Sequence, residues 1–123
     1  VDLFATAAAV AQAKLPAAST AAPDSFSWLP LLRGNEKQFR RAPVIHHSAS
    51  GMFAVRDGDW KLILGNGSGG RQAPRGKRFQ PPWQLYNLNA DLAEAIDVYA
   101  DKPQVAERLE SELFRILADD QSR

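Results

Sequence analysis

Apolar and polar residues alternate most sharply over residues 48–64, SASGMFAVRDGDWKLIL, where two runs of period two flank Asp57-Gly58. Successive strand side chains point to opposite faces, and Asp-Gly tolerates the positive φ angles of a type I′ turn, so the stretch predicts a β-hairpin. With Asp57 and Gly58 at the turn, Val55 is expected opposite Trp60, Phe53 opposite Leu62 and Gly51 opposite Leu64. Arg56 would then meet Asp59, and Ala54 would meet Lys61, on the other side of the ribbon. Phe53, Val55, Trp60, Leu62 and Leu64 form a core face. A lone hairpin is marginal in water, so more strands or a helix must cover it.

The remaining pattern supplies the cover. Pro43 opens a strand over 44–48, and WQLYNL at 83–88 reads as a further strand beside the hairpin. Toward the C-terminus the period changes to that of a helix: Val105, Leu109, Leu113, Ile116 and Leu117 lie along one stripe, with Phe114 on the opposite side. Asp101 as cap, Pro103 in the first turn and Gln104 in a capping-box position predict a helix over 103–118, laid on the hairpin's core face. Residues 2–15 are alanine-rich and apolar on nearly every side. Asp2 is expected to cap a helix from residue 3 to about 13, which Pro16 ends. A helix of that kind is normally buried all round, which points to a longer parent chain and to exposed apolar surface on this one. A low-information linker at 17–22 is followed by Asp24 or Ser25 capping a short turn through Phe26, Trp28 and Leu29, with Pro30 in its first turn and Gly34 as its stop. Residues 35–41 read as a charged, solvated loop, and 89–99 as turn-like. The expected fold is α+β: a small antiparallel sheet of about four strands packed against a C-terminal helix, with an N-terminal Ala-rich helix. The expected organisation is an N-terminal helix and connecting segment at 1–34 and a C-terminal subdomain at 35–123.

Composition narrows the chemistry. The chain has 123 residues, a formal net charge of +1 and no cysteine. That excludes disulfides, thiolate metal sites and a cysteine nucleophile within it, without fixing a compartment. No run of about 18 apolar residues occurs, so no membrane span is expected, and the near-zero net charge calls for no nucleic-acid partner. The cations are nevertheless clustered: Arg71, Arg75, Lys77 and Arg78 sit in a glycine- and proline-rich loop at 65–82. Loops this long are usually functional or disordered.

In order and spacing, the segments resemble the C-terminal end of the formylglycine-dependent sulfatases, the arylsulfatase family of the alkaline-phosphatase-like superfamily. Val1-Asp2-Leu3-Phe4-Ala5-Thr6 is similar to that family's D-L-x-P-T helix, with Ala5 where Pro is common. Asp24-Ser25 and LPLLRG at 29–34 resemble its D-G/S-x-S-x-x-P-L-L-x-G segment. His46-His47-Ser48 followed by FAVRDGDWKLI at 53–63 resembles x-A-x-R-x-G-x-W-K-L-I. Leu85-Tyr86-Asn87-Leu88 with Asp91 and Glu94 resembles L-Y-D/N-L-x-x-D-P-x-E, and 103–109 resembles the closing H-P-E-x-x-x-x-L helix. Leu92 replaces the Pro of the D-P-x-E turn, and Asp97 stands where Asn is usual.

The resemblance implies a parent that hydrolyses sulfate esters, periplasmic or secreted, with a formylglycine nucleophile made from a C/S-x-P-S-R motif and a calcium ion in its catalytic core. Neither that motif nor a matching aspartate cluster occurs in this chain, so it is expected to have no catalytic residue and no cofactor of its own and to be inactive alone. Its expected partner is the N-terminal catalytic domain, with a sulfated substrate beyond. His46 and His47 are the substrate-contact candidates, because a neutral imidazole can hydrogen-bond a sugar hydroxyl or a sulfate ester. As strand neighbours they should point to opposite faces, one inward, so they make a poor metal pair, and a plainly structural role competes. Arg71, Arg75, Lys77 and Arg78 could gather around a sulfated polysaccharide, with Phe79 or Trp83 stacking on a sugar; a disordered, solvated loop is the competing reading. Lys61 reads as a solvent-facing strand residue and Trp60 as a core anchor. A free-standing binding module for acidic polysaccharide, and a structural or oligomerising domain, are the alternatives of other classes.

Overall fold

A computed structural model describes residues 2–39 and 41–119. Val1, which opens the D-L-x-P-T-like stretch, and Arg40, within the expected charged loop, lie outside the described residues. The elements run α1 (Leu3–Val10), α2 (Leu29–Leu32), a 3-10 turn (Glu36–Gln38), β1 (Val44–His47), β2 (Phe53–Asp57), β3 (Trp60–Ile63), β4 (Gln84–Asn87) and α3 (Pro103–Asp119). Two compact units result: Val1–Ala42 with Ile116–Arg123, and Pro43–Arg115.

The second unit is an antiparallel sheet in the order β1-β2-β3-β4. Its register differs from the expected one: Asp57 pairs with Trp60, Arg56 with Lys61, Val55 with Leu62 and Ala54 with Ile63. The turn residues are therefore Gly58 and Asp59. Gly58 has φ +58° and Asp59 is not among the residues with positive φ, the pattern of a type II′ turn, which wants glycine first. Asp57 stays in the strand and pairs with Arg108 of α3. Because the shift moves each residue by two positions against its partner, every side chain keeps its face. The hydrophobic pattern predicts the right core with the wrong pairs.

That core is Val55, Leu62, Leu64 and Leu85 from the sheet side against Ala106, Leu109 and Leu113 of α3, with Phe53, Trp60 and Trp83 partly buried around them. Of the helix stripe, Val105, Leu109 and Leu113 pack on this core and Ile116 is buried, whereas Leu117 is 36% exposed. Phe114, on the opposite side, meets the Trp83 ring with centroids 6.1 Å apart. Residues 89–99 form a tight chain of turns. Asp91 Oδ2 accepts the Ala95 and Ile96 N–H groups at 2.7 and 2.8 Å, and Asp97 Oδ1 accepts those of Leu85 and Tyr99 at 3.0 and 2.9 Å.

In the first unit, Asp2 does not cap α1 through its side chain. Its carboxylate accepts the Phe26 N–H at 3.1 Å, the Trp28 indole N–H at 3.0 Å and two Arg41 N–H groups at 2.9 and 3.2 Å. Arg41 also stacks over the Phe26 ring, its guanidinium carbon 4.9 Å from the centroid. Thr6 Oγ1 accepts the Trp28 N–H at 2.9 Å, and Ser25 Oγ accepts the Ala5 N–H at 3.0 Å. Asp2, Thr6 and Ser25 are all buried, and these bonds satisfy them. Arg41 is thus tied down rather than part of a solvated loop. On α1, Leu3, Phe4 and Val10 are 72, 52 and 62% exposed.

Candidate functional site

The sheet has a second face. Since Val55, Leu62 and Leu85 point toward α3, their neighbours His46, Ala54, Lys61, Ile63 and Tyr86 fall on the other side. A cavity of about 150 Å³ opens there, lined among others by His46, His47, Ser48, Lys61 and Glu94 and closed on one flank by residues 67–69 of the long loop.

Lys61 is a half-buried charge on this face. Its Nζ lies 2.6 and 2.7 Å from the two Glu94 oxygens, and the side chains are 17 and 31% exposed. The expectation of a solvent-facing Lys61 is therefore overturned. Glu94 reaches it from a backbone with φ +55°, a region non-glycine residues seldom occupy, supported by the turn that Asp91 fixes. Both histidines are exposed, so neither points into the core as expected. His46 stands on the outer face, where partial burial lowers its pKa from the ordinary histidine value and the Lys61 ammonium pushes the same way. Both effects favour its neutral form. His47 donates from Nδ1 to the Ser48 carbonyl at 3.1 Å, and its ring lies 5.8 Å from that of Phe53.

The long loop is built rather than loose. It closes where Gly65 pairs with Arg78 and the Phe79 N–H reaches the Leu64 carbonyl at 2.9 Å. Inside, Asn66 Oδ1 accepts the Lys77 N–H at 3.1 Å, Ser68 N donates to the Pro74 carbonyl at 2.8 Å, and Ser50 Oγ donates to the Gly69 carbonyl at 2.7 Å. Arg71, Arg75, Lys77 and Arg78 are exposed on this frame, with the Arg78 side chain passing against Gly51. The structure thus brings His46 and His47 beside residues 67–69 of the loop, and none of the four cations lines the hollow. Phe79 and Trp83 do not form a joint platform with them: Phe79 packs 5.7 Å from Phe53 and Trp83 lies against Phe114.

A Cβ on Gly76, whose φ is +67°, would overlap the Asn66 carbonyl. Gly76→Ala is expected to add about 1–2 kcal/mol of backbone strain besides that overlap and to open the loop. Trypsin cleavage at Arg71, Arg75 and Lys77 should rise severalfold while the sheet's melting temperature barely changes.

Sequence reasoning passed over Lys61 and Glu94 as site residues. Both stand in the motif stretches of the hairpin and the 85–94 segment, and neither was needed for the core, which was the available signal. Among the described residues no group of three or more His, Cys, Asp or Glu side chains is placed to hold a metal ion, so the calcium implied for the parent does not fit here. No described helix is long and apolar enough to cross a membrane.

Fold and cavity define an α+β domain with a helix on one sheet face and a small polar hollow on the other, and this is the fold of the C-terminal part of sulfatases. A structure designated BT33336S-sulf, from work on metabolism of multiple glycosaminoglycans by Bacteroides thetaiotaomicron, matches with TM-score 0.72 and 28% identity, over 94% of this chain and 24% of that one. Ps i-CgsB matches with TM-score 0.66 and 24% identity over 98% of this chain, and was also solved with k-i-k-neocarrahexaose. A 2-O GAG sulfatase matches with TM-score 0.53 and 23% identity over 97% of this chain. The chain spans about a quarter of the length of the structures it matches. No protein-family model and no curated protein matches it.

Proposed function

We propose that this chain is the C-terminal subdomain of a sulfuric ester hydrolase acting on a sulfated polysaccharide, where it completes the fold and forms one wall of the substrate cleft. The observation that carries the reading is the match of 94% of the chain, at 28% identity, to one quarter of a sulfatase-type structure. The glycosaminoglycan and carrageenan connections in the names of the matched structures support a sulfated glycan as substrate. The nucleophile and calcium would belong to the N-terminal catalytic domain. Exposed Leu3, Phe4 and Val10 on α1 offer that domain an apolar surface. In this arrangement the hollow beside His46 and His47 faces the substrate, and Arg71, Arg75, Lys77 and Arg78 meet its sulfates.

The test is the complete coding sequence. It should encode a C/S-x-P-S-R motif upstream, and the whole protein should release sulfate from a sulfated oligosaccharide. His46→Ala in that protein should lower kcat/KM on the oligosaccharide by about tenfold or more, a loss of contact in the transition state, and leave a small aryl sulfate nearly unaffected. An upstream sequence without the motif sinks the reading. The four exposed cations on one closed loop favour a free-standing binder of acidic polysaccharide as second reading. Binding of heparin by this chain that weakens steeply with salt, with no upstream motif, would select it.

A further inference from the structure

We propose that the Lys61–Glu94 pair makes the hollow on the outer sheet face a site for an uncharged, hydroxyl-bearing sugar unit and bars a sulfate group from it. The proposal rests on the reading of this hollow as part of a glycan cleft and assigns it a specificity.

A lysine beside a histidine on a concave surface would ordinarily attract an oxyanion. Here both Glu94 oxygens lie within 2.7 Å of Lys61 Nζ, so the ammonium is already neutralised. A sulfate drawn to the third Lys61 N–H would have to approach Glu94 as well, and because sulfate oxygens only accept hydrogen bonds they can give the carboxylate no proton to offset the repulsion between the two anions. His46, whose charged form is disfavoured here, adds little positive charge. A sugar hydroxyl faces the opposite situation. It both donates and accepts, so a single hydroxyl can take the third Lys61 N–H, which the two Glu94 contacts leave over, and give its own proton to a Glu94 lone pair. The His46 imidazole can bond the neighbouring hydroxyl in either sense. The volume of about 150 Å³ accommodates a unit the size of one monosaccharide.

Glu94 is the deciding residue. Its φ of +55° is a conformation that needs support, and Asp91 provides it by holding the next two N–H groups at 2.7 and 2.8 Å. The pair is therefore built into the turn rather than formed by two long surface side chains that happen to meet. Charge recognition is left to the cations of the loop, outside the hollow.

The experiment is a sulfate titration of this chain at constant ionic strength, followed through the His46 imidazole resonances, in wild type and Glu94→Gln. Wild type should show no saturable sulfate effect at His46. Glu94→Gln should gain sulfate binding there, at least about tenfold tighter than wild type, because the freed ammonium becomes an oxyanion partner. In wild type, methyl β-D-galactopyranoside should shift the same resonances, and the shift should shrink in Lys61→Met/Glu94→Leu. Saturable sulfate binding at His46 in wild type overturns the proposal, and so does a Glu94→Gln protein that folds yet gains none. If Glu94→Gln does not fold, Glu94→Ser carries the same prediction. Hydrolysis plays no part in these measurements, so their failure leaves the sulfatase reading standing, and a missing upstream motif leaves the binding result standing.

Discussion

Leu109→Ala is expected to destabilise the Pro43–Arg115 unit by about 2–5 kcal/mol and to lower its melting temperature by roughly 10–40 °C. Leu109 is 0% exposed and lies within the cluster that joins α3 to Val55, Leu62, Leu64 and Leu85. The loss has two parts, the transfer free energy of the removed carbons and the hollow they leave, and a close-packed cluster around it has little freedom to collapse. Arg108→Ala, one position before, removes only the surface pair with Asp57 and should cost less than about 1 kcal/mol. Thermal melts of both variants, followed by the sheet amides, give the comparison. A Leu109→Ala protein as stable as Arg108→Ala would mean that α3 does not hold the sheet.

Asp2→Ala is expected to cost about 3–5 kcal/mol in the other unit, because it leaves the Arg41 guanidinium without a counter-charge, bonded only to the Ala42 carbonyl, and the Trp28 indole without its acceptor. The wild-type carboxylate also predicts a pH dependence. Burial works to raise its pKa, but the Phe26 N–H, the Trp28 indole and Arg41 outweigh it, and the net value falls below the ordinary 3.8. A group whose folded pKa is depressed stabilises the fold fully above its unfolded value and less as pH falls through the folded one. The Trp28 indole resonance should thus hold its position from neutral pH down to about 4 and lose it below. Asp2→Ala should show the altered position at every pH. A wild-type indole unmoved by acid would separate the Asp2 contacts from the stability of this unit.

Much of the fold could be read from the chain because burial and periodicity are local signals. The strands at 44–48 and 83–88, the hairpin and the stripe from Val105 to Ile116 all followed from spacing. The register did not. Asp-Gly fits a turn in two frames, and in the one adopted Asp57 stays in the strand and meets Arg108, a partner 51 residues away that local spacing does not reveal. The same limit hid the Asp2–Arg41 knot, since a carboxylate before a helix reads as a cap until the chain returns. His46 and His47 could be singled out from residue type alone. Lys61 and Glu94 come together only when the turn after β4 folds across the outer face, and the order of the loop rests on glycines whose neighbours the sequence does not name.

The pairing of Gly65 with Arg78 closes the long loop at its base, and the ladders that join β1 to β4 use no residue of 66–77. Because doubling a flexible loop's length adds only about 0.6 kcal/mol of closure entropy, a graft of other length and charge between these two residues would leave the frame intact. The loop is in that sense an exchangeable cassette. Recognition could diversify at 66–77 while the sheet and helix that carry it stay unchanged.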